Sequence, residues 1–305
     1  MSMTPLPLIK PAALQPGATI GIVAPASPFQ KDELEKGLEI LRHMGFRVRL
    51  ADGLFDVLGY LAGEDARRAA QLMEMFRDAT VDGIMCARGG YGCMRILPLL
   101  DYHLIRRHPK PFVGFSDITA LHQVFCMQSG MVTFHGPLVC TLSKDEELSR
   151  TSLLETLSGQ LPAAVSGAQM RSILPGVAEG RLTGGNLTVL CHLLGTPFAP
   201  SFDSAILFIE DCGEALYRID RMLTHMKLSG CLEGLAGIVL GSFKNCGTEA
   251  DICNLVRQQF EERAIPIVAG LSAGHAQRNV TLPLGIHVRL DADKAELSFL
   301  ESATA

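Results

Sequence analysis

Three side chains that can do nucleophilic or acid–base chemistry follow segments with the pattern of buried strands. Ser116 comes directly after the apolar end of Pro111–Phe115. Glu210 ends the segment Ala205–Glu210, and His275 lies in a glycine-containing loop that follows another such segment. In an open parallel sheet, ligands bind at the carboxyl ends of the strands, where loops and helix N-termini converge. The chain order Ser…Glu…His therefore predicts a nucleophile, an orienting carboxylate and a general base.

Each of these assignments leaves an alternative open. A serine hydroxyl is a weak nucleophile until an imidazole accepts its proton, and the imidazole needs a carboxylate to fix its tautomer. Serine is also a favoured helix N-cap, so Ser116 could simply cap the helix beside it. The pattern does not choose between Glu210 and its neighbour Asp211. His135 is an alternative to His275 as the candidate base.

A glycine-rich loop, Arg88–Gly92, follows a further strand-like segment. Clustered glycines let backbone amides approach a substrate closely, so the amides of Gly90 and Asp117 are candidates for an oxyanion hole. A phosphate cradle and a plain tight turn are the alternatives. The dinucleotide pattern G-x-G-x-x-G is only half matched, because Arg95 occupies its third glycine position, and no Walker lysine is present.

The elements that must position these residues alternate between strand-like and helix-like patterns. Strands are predicted at Thr19–Ala24, Arg47–Leu50, Gly83–Ala87, Pro111–Phe115, Ala205–Glu210, Gly237–Leu240, Ile265–Ala269, Ile286–Leu290 and Ala295–Leu300, the last two as a hairpin. Helices are predicted at Lys31–Met44, Glu64–Ala79, Asp117–Ser129, Leu187–Leu194 and Leu216–Leu228. Continuous apolar strands separated by helices predict an α/β fold with mostly parallel sheets covered on both faces.

The same pattern predicts two domains. Residues 1–142 form an N-terminal α/β domain that carries the candidate nucleophile, and residues 181–305 form a C-terminal α/β domain that carries Glu210 and His275. Residues 143–180 lack the alternation and contain a charge run, serines and isolated prolines, which indicates a connector.

Composition excludes several classes of protein. The chain has 305 residues, 48% of them hydrophobic, and a net charge of −5 without a basic block, which argues against nucleic-acid binding. Apolar segments are strand-sized, far below the roughly 20 residues of a membrane span, and Met1–Ala18 lacks the apolar block of a secretory signal. Nine cysteines without C-x-x-C spacing indicate free thiols in a reducing compartment. We expect a cytoplasmic protein without metal, cofactor, nucleic-acid or membrane partner.

Motifs along nearly the whole chain resemble those of one family, the L,D-carboxypeptidases, also called murein tetrapeptide carboxypeptidases, which are serine peptidases. The matching segments are Gly21–Ser27, Arg88–Gly92, Gly114–Ala120, Phe134–Pro137, Gly184–Leu187, Gly195–Pro197, Glu210–Asp211, Arg218–Leu223, Gly241–Phe243, Gly274–Gln277 and Thr281–Gly285. They occur in the family's order, and we find no departure at the candidate site positions.

The resemblance implies a role for each site residue. Ser116 would be the nucleophile, His275 rather than the other candidate histidine would be the base, and Glu210 rather than its neighbour would be the third member. The backbone amides of Gly90 and Asp117 would form the oxyanion hole. The implied fold is an N-terminal flavodoxin-like domain, a connector and a C-terminal swivelling α/β domain, with the active site between the domains.

The implied reaction is hydrolysis of the amide between an L-configured centre, often of diaminopimelate or lysine, and a terminal D-alanine. It would serve cytoplasmic recycling of cell-wall peptides, in a homodimeric enzyme. A terminal carboxylate suits a bidentate arginine. Arg88 lies nearest the candidate nucleophile in sequence, and Arg218 and Arg221 are alternatives.

Three other functions remain as alternatives. Self-immunity peptidases of the microcin C type share the triad but stack a nucleobase on an aromatic ring of the connecting loop. This chain has no tryptophan, and Thr141–Glu179 contains neither tyrosine nor phenylalanine. A general α/β-hydrolase is disfavoured because Gly114–Ile118 lacks the second glycine of G-x-S-x-G. The third is a non-catalytic ligand-binding module, in which Ser116 only caps a helix.

Overall fold

A computed structural model describes residues 6–305 of the chain. Its strands are β1 (Thr19–Val23), β2 (Arg47–Leu50), β3 (Gly83–Cys86), β4 (Phe112–Gly114), β5 (Thr133–His135), β6 (Ala164–Val165), β7 (Arg171–Leu174), β8 (Val177–Asn186), β9 (Ala205–Cys212), β10 (Gly237–Lys244), β11 (Ile267–Ala269), β12 (Leu282–Leu284), β13 (His287–Asp291) and β14 (Glu296–Phe299). Its α-helices are α1 (Lys31–His43), α2 (Asp65–Arg77), α3 (Cys93–Ile96), α4 (Tyr102–Arg107), α5 (Thr119–Val124), α6 (Glu147–Leu157), α7 (Leu187–Leu193), α8 (Leu216–Leu228) and α9 (Glu249–Phe260).

The chain divides into two compact units. Within the described residues, the first comprises residues 6–161, Val280–Pro283 and Ala303–Ala305, and the second comprises Pro162–Asn279 and Leu284–Ser302. Residues 143–161, the first part of the predicted connector, therefore pack with the first unit as helix α6 and its flanks. The second part of the predicted connector contributes β6, β7 and the beginning of β8 to the second unit.

The first unit is built on a parallel sheet. Its strand order is β2-β1-β3-β4-β5, with β12 beside β5, and each neighbouring pair from β2 to β5 is parallel. This is the flavodoxin-like order, which brings the carboxyl ends of β1, β3 and β4 side by side. Strands β1, β3 and β4 are almost entirely buried, as their apolar runs predict for the inner strands of a sheet covered on both faces.

The second unit is built on an eight-stranded mixed sheet. Four central strands, β8-β9-β10-β11, are parallel, and antiparallel strands extend both sides in the order β6-β14-β13-β8 and β11-β7. Leu207, Ile209 and Leu240 pack from the sheet against Ile219 and Leu223 of α8 in a common core. The predicted α/β class is confirmed, as is the hairpin of β13 and β14.

The sequence patterns missed some elements and altered others. The helix expected at Asp117–Ser129 is a 3-10 turn at Ser116–Ile118, then α5, then a π-helical turn at Phe125–Ser129. Helix α9 and strand β8 were not predicted, the latter because it contains three glycines and two charged residues.

The helices and the cysteines can be compared with what the sequence predicts about membrane spans and disulfides. Within residues 6–305 no helix is long and apolar enough to cross a membrane. All nine cysteines are free thiols, and seven of them are buried. The segment Met1–Ala18, in which no secretory signal is predicted, lies partly outside the described residues.

Candidate active site

Glu210 and His275 meet at the carboxyl edge of the second sheet. His275 Nδ1 lies 2.6 Å from Glu210 Oε2. The Glu210 side chain is fully buried, whereas 22% of the His275 side chain is exposed. An ionised carboxylate can only accept, so Nδ1 carries a proton in this bond and Nε2 is the acceptor nitrogen of the neutral ring. A short charge-assisted bond of this kind both orients the imidazole and stabilises its protonated form.

The surroundings of Glu210 compensate for its burial. Asn186, in register with Glu210 on the neighbouring strand, donates from Nδ2 to Glu210 Oε1 at 3.2 Å. Asn186 is itself fixed, because its Oδ1 accepts from the Val189 amide as the N-cap of α7. A buried carboxylate is costly unless it is paired and hydrogen-bonded, and here one oxygen faces an imidazole and the other an amide.

The loop that presents His275 is held by side chains that accept from the backbone amides before and after this residue. Asn279 Oδ1 accepts from the Gly274 amide at 2.9 Å, and Ser242 Oγ accepts from the Ala276 amide at 3.2 Å. Gly274 has φ +111°, and a Cβ at this position would lie 2.6 Å from Glu210 Oε2. Only glycine therefore allows the backbone to pass this close to the carboxylate.

The pKa of His275 follows from two opposing effects. Burial acts to lower this pKa by disfavouring the charged ring, but the hydrogen bond and the charge of Glu210 outweigh it. The net result is a pKa above the usual 6.5 of histidine. A base with such a pKa is adjusted to accept a proton near neutral pH.

Asp211, the other carboxylate of the pair, has a different task. Its Oδ2 accepts from the amide and the hydroxyl of Thr188 at 2.9 and 2.8 Å, and its Oδ1 accepts from the Cys212 amide at 2.8 Å. Burial raises the pKa of Asp211, against these hydrogen bonds. Asp211 thus holds the first turn of α7 against β9, while Glu210 contacts the imidazole.

Ser116 lies in the first unit, directly after β4, in a strained backbone conformation. Its φ is +65°, in the left-handed region that non-glycine residues seldom occupy. Strain of this kind costs about 1–3 kcal/mol and concentrates at functional sites. Phe115, not Ser116, is the N-cap of the following 3-10 turn, and no side-chain capping bond is made there. The interpretation of Ser116 as a plain helix cap therefore fails.

The glycine-rich loop after β3 passes directly beside Ser116. A Cβ at Gly89 would lie 2.9 Å from Ser116 Cβ and 3.1 Å from its Oγ, so any side chain there would displace the serine. Gly90 has φ +102°, and a Cβ would lie 2.4 Å from Ser27 Oγ. The hydroxyl of Ser27 accepts from the Tyr91 amide at 3.1 Å. The two glycines thus allow the loop to lie close to Ser116 on one side and to Ser27 on the other.

Two charged side chains connect this loop to its neighbours. Asp117 Oδ2 accepts from the Cys93 amide at 2.8 Å, which ties the end of the loop to the turn that carries Ser116. Arg68, fully buried, donates to the backbone carbonyls of Gly92, Pro25 and Gly63 and pairs with Asp65. One guanidinium therefore joins three loops at the carboxyl edge of the first sheet.

The remaining candidates have plainer surroundings. His135 is a fully buried residue of β5, and its ring lies 5.8 Å from that of Phe115. Arg88 is exposed and donates to the Pro28 carbonyl at 2.6 Å. In residues 6–305 no group of three or more His, Cys, Asp or Glu side chains could hold a metal ion.

Sequence reasoning did not single out several supporting residues. Arg68, Asn186, Ser242 and Asn279 fix the candidate site through hydrogen bonds between distant segments. A polar residue that orients another side chain or loop through a hydrogen bond has no sequence motif of its own. The fully buried Arg68 could have been suspected only because it lies among the apolar positions of an amphipathic helix.

Two family models match the chain. The LD-carboxypeptidase N-terminal domain matches residues 20–136, and the LD-carboxypeptidase C-terminal domain matches residues 179–290. A probable murein peptide carboxypeptidase from Bacillus subtilis (strain 168) is 40% identical over 285 residues, which cover 90% of this chain and 89% of that relative.

Two solved structures are similar to this chain over most of its length. The muramoyltetrapeptide carboxypeptidase from Oxalobacter formigenes has a TM-score of 0.81 at 31% identity, over 92% of this chain and 97% of that one. The microcin C7 self-immunity protein in its wild-type apo state has a TM-score of 0.91 at 24% identity, over 97% of this chain and 100% of that one. At that level of identity the second likeness concerns the fold alone.

Proposed function

The chain belongs to the LD-carboxypeptidase family and is a hydrolase, and from this premise we propose that it is a serine carboxypeptidase that releases the terminal D-alanine from murein tetrapeptides. The observation that carries the proposal is the 2.6 Å bond between His275 Nδ1 and Glu210 Oε2. It produces an imidazole with a fixed tautomer and a raised pKa, which a peptidase needs and a binding module does not.

The proposed mechanism begins at Ser116. Nε2 of His275 accepts the hydroxyl proton while Oγ attacks the carbonyl carbon before the terminal D-alanine. The negative charge that develops on the carbonyl oxygen is stabilised by the amides of Gly90 and Asp117, each such donor being worth about 2.7–4 kcal/mol. Glu210 keeps the ring oriented and compensates its positive charge.

The intermediate then collapses with loss of D-alanine. The C–N bond breaks, and His275 gives its proton to the departing amine. Water, deprotonated by the same ring, hydrolyses the acyl-enzyme and regenerates the Ser116 hydroxyl. The strained φ of Ser116 and the closeness of Gly89 support this assignment, because both restrict the position of the hydroxyl before substrate arrives.

The test is incubation with matched tetrapeptides that end in D-alanine or L-alanine, with free alanine as the readout. We expect release from the D-peptide alone. Ser116→Ala should reduce kcat by on the order of 10⁴–10⁶-fold, as the loss of a triad nucleophile does. A binding module would release alanine from neither peptide and would bind its ligand equally well after the substitution.

A second candidate function is hydrolysis of aminoacyl-nucleotides of the microcin C type, and one observation favours it. Tyr91 of the glycine-rich loop and Tyr60 expose 47% and 64% of their surface, and their rings lie 5.7 Å apart. Exposed rings can stack a nucleobase, and such stacking is worth about 1–3 kcal/mol. Cleavage of an aminoacyl-nucleotide faster than the tetrapeptide, with loss of that preference in Tyr91→Ala, would favour this function over the first.

Two further parts of the proposal rest on the family alone. We place the enzyme in cytoplasmic recycling of cell-wall peptides, and we expect a homodimer. Light scattering on the purified protein measures its mass against the 32.9 kDa of one chain. Fractionation of cells that express the protein tests the compartment.

A further inference from the structure

The second unit contains a cavity of about 520 Å³ between α7 and α8. This volume lies within the usual range of small-molecule sites, roughly 300–1,000 Å³. Polar and charged residues dominate its wall, among them Thr188, His192, Glu214, Arg218, Arg221 and His225. The sequence singled out both arginines as candidates for a substrate carboxylate, and the mechanism leaves them without a role.

One end of this cavity lies next to the candidate catalytic carboxylate. Thr188, in the cavity wall, donates its amide and hydroxyl protons to Asp211, the residue after Glu210. Asn186 Nδ2 reaches both carboxylates, at 3.2 and 3.3 Å. Glu214 follows Glu210 by four residues, a span of at most about 14 Å even for extended chain. The cavity wall is therefore joined by hydrogen bonds to the residue that follows Glu210, on the same strand as the candidate catalytic carboxylate.

The wall of the cavity contains one ion pair, between Arg218 and Glu214, and a second arginine, Arg221, that contacts an aromatic ring. Arg218 Nη1 lies 3.3 Å from Glu214 Oε2, and its Nε donates to the Tyr217 hydroxyl. Arg221 lies over the Tyr217 ring, 5.7 Å from the ring centroid. Among residues 6–305 no carboxylate is within ion-pair distance of Arg221. The cavity thus offers one carboxylate for a cation and one uncompensated guanidinium for an anion.

We propose that this cavity binds a zwitterionic amino-acid head group, with an ammonium and a carboxylate on one carbon. The ammonium contacts Glu214, and the carboxylate binds Arg221 through the planar fork that suits carboxylates. Given the proposed function, the head group is the free end of diaminopimelate in the residue before the terminal D-alanine. A lysine side chain ends in an ammonium alone, so it could contact Glu214 but would leave the guanidinium of Arg221 without an anion.

The test measures binding separately from catalysis. Matched murein tetrapeptides with diaminopimelate or lysine before the D-alanine are titrated calorimetrically into the full-length Ser116→Ala protein, in which no turnover depletes the peptide. We expect the diaminopimelate peptide to bind at least about tenfold more tightly, the scale of one charge-assisted contact in a partly exposed site. Arg221→Met should abolish this preference, and Arg221→Lys should restore only part of it.

The control substitution is Arg257→Met, on the exposed face of α9 and outside the cavity wall, which should leave both affinities unchanged. Equal affinities for the two peptides, a preference for lysine, or no binding of either would overturn the proposal. A preference that persists in Arg221→Met would overturn the assignment to this cavity.

Release of D-alanine by the active protein is measured in parallel. If neither peptide releases alanine although the binding preference and its loss in Arg221→Met are found, the proposed catalysis fails and the cavity assignment stands. If both peptides are cleaved but bind equally, the cavity assignment fails and the proposed function stands.

Discussion

Ser116 in the first unit and His275 in the second are held by different kinds of interaction. Ser116 is placed by its backbone: a φ of +65°, the closeness of Gly89 and the bond from Cys93 to Asp117 restrict it. His275 is placed by its side chain, through a 2.6 Å bond to the buried Glu210. The hydroxyl of a nucleophile must stay accessible to substrate, so its position is set by the backbone conformation. A base can be oriented by a hydrogen bond to the ring nitrogen that does not face the substrate.

This difference predicts different responses to substitution. Around His275 the loss of a single charge should reduce the rate strongly while the fold remains intact. Around Ser116 substitutions in the supporting loops should first reduce stability, because the same contacts hold three loops together.

Glu210→Gln should lower kcat by up to about 10⁴-fold, because the imidazole loses the charge that stabilises its protonated form. The measurement is D-alanine release, with circular dichroism to verify folding. Asp211→Asn is the matched control: it weakens the bonds to the Thr188 amide and hydroxyl, so stability should fall while kcat changes by less than about tenfold. Similar rate losses in both variants would mean that Glu210 has no special role.

Arg68→Met should destabilise the first unit by on the order of 3–5 kcal/mol, because three buried backbone carbonyl groups lose their donor, at about 1–3 kcal/mol for each unsatisfied group. The midpoint of thermal unfolding measures this effect. Arg95→Met is the control, because Arg95 pairs with the same Asp65 but is 44% exposed, so its loss should cost about 0–1 kcal/mol. Comparable losses in both variants would contradict a structural role of Arg68 in the loops.

Ser116→Gly should be more stable than Ser116→Ala by about 1–2 kcal/mol, because glycine adopts a positive φ without steric cost. Both variants lack the hydroxyl, so the difference reports backbone strain alone, and urea unfolding measures it. The same pair of substitutions at Ser152, inside helix α6, should give the opposite sign by about 1 kcal/mol. If alanine is the more stable residue at position 116 too, Ser116 is not strained.

The pH dependence of kcat/KM should follow the raised pKa of His275. The ring accepts a proton only when neutral, so activity should rise as the pH passes through a value above 6.5. Glu210→Gln should move the midpoint downward in the residual activity. The ion pair also contributes stability, which is fully present below the unfolded pKa of about 6.5 and is lost as the pH rises through the folded pKa. A midpoint unchanged by the substitution would count against coupling of the two groups.

Much of the fold could be read from the residues. Strand-like patterns predicted nine of the fourteen strands found in residues 6–305, and helix α8 was predicted with its observed bounds at Leu216–Leu228. Strand β8 was missed because glycines and a carboxylate interrupt its apolar pattern, although pairing with β9 and β13 on both sides stabilises it. The segment after Ser116 was predicted as one regular helix. Its 3-10 and π-helical turns were missed because no pattern in the local sequence indicates them.

The residues alone were enough to predict the α/β class, the chain order of the reactive side chains and the family. These properties depend on local periodicity and on motifs, which are visible along a single chain. The tertiary structure decided which of two adjacent carboxylates contacts the histidine, that Ser116 is strained rather than a cap, and that Arg68 joins three loops. Hydrogen bonds between segments far apart in the chain depend on how strands align, and spacing in sequence carries no record of that alignment.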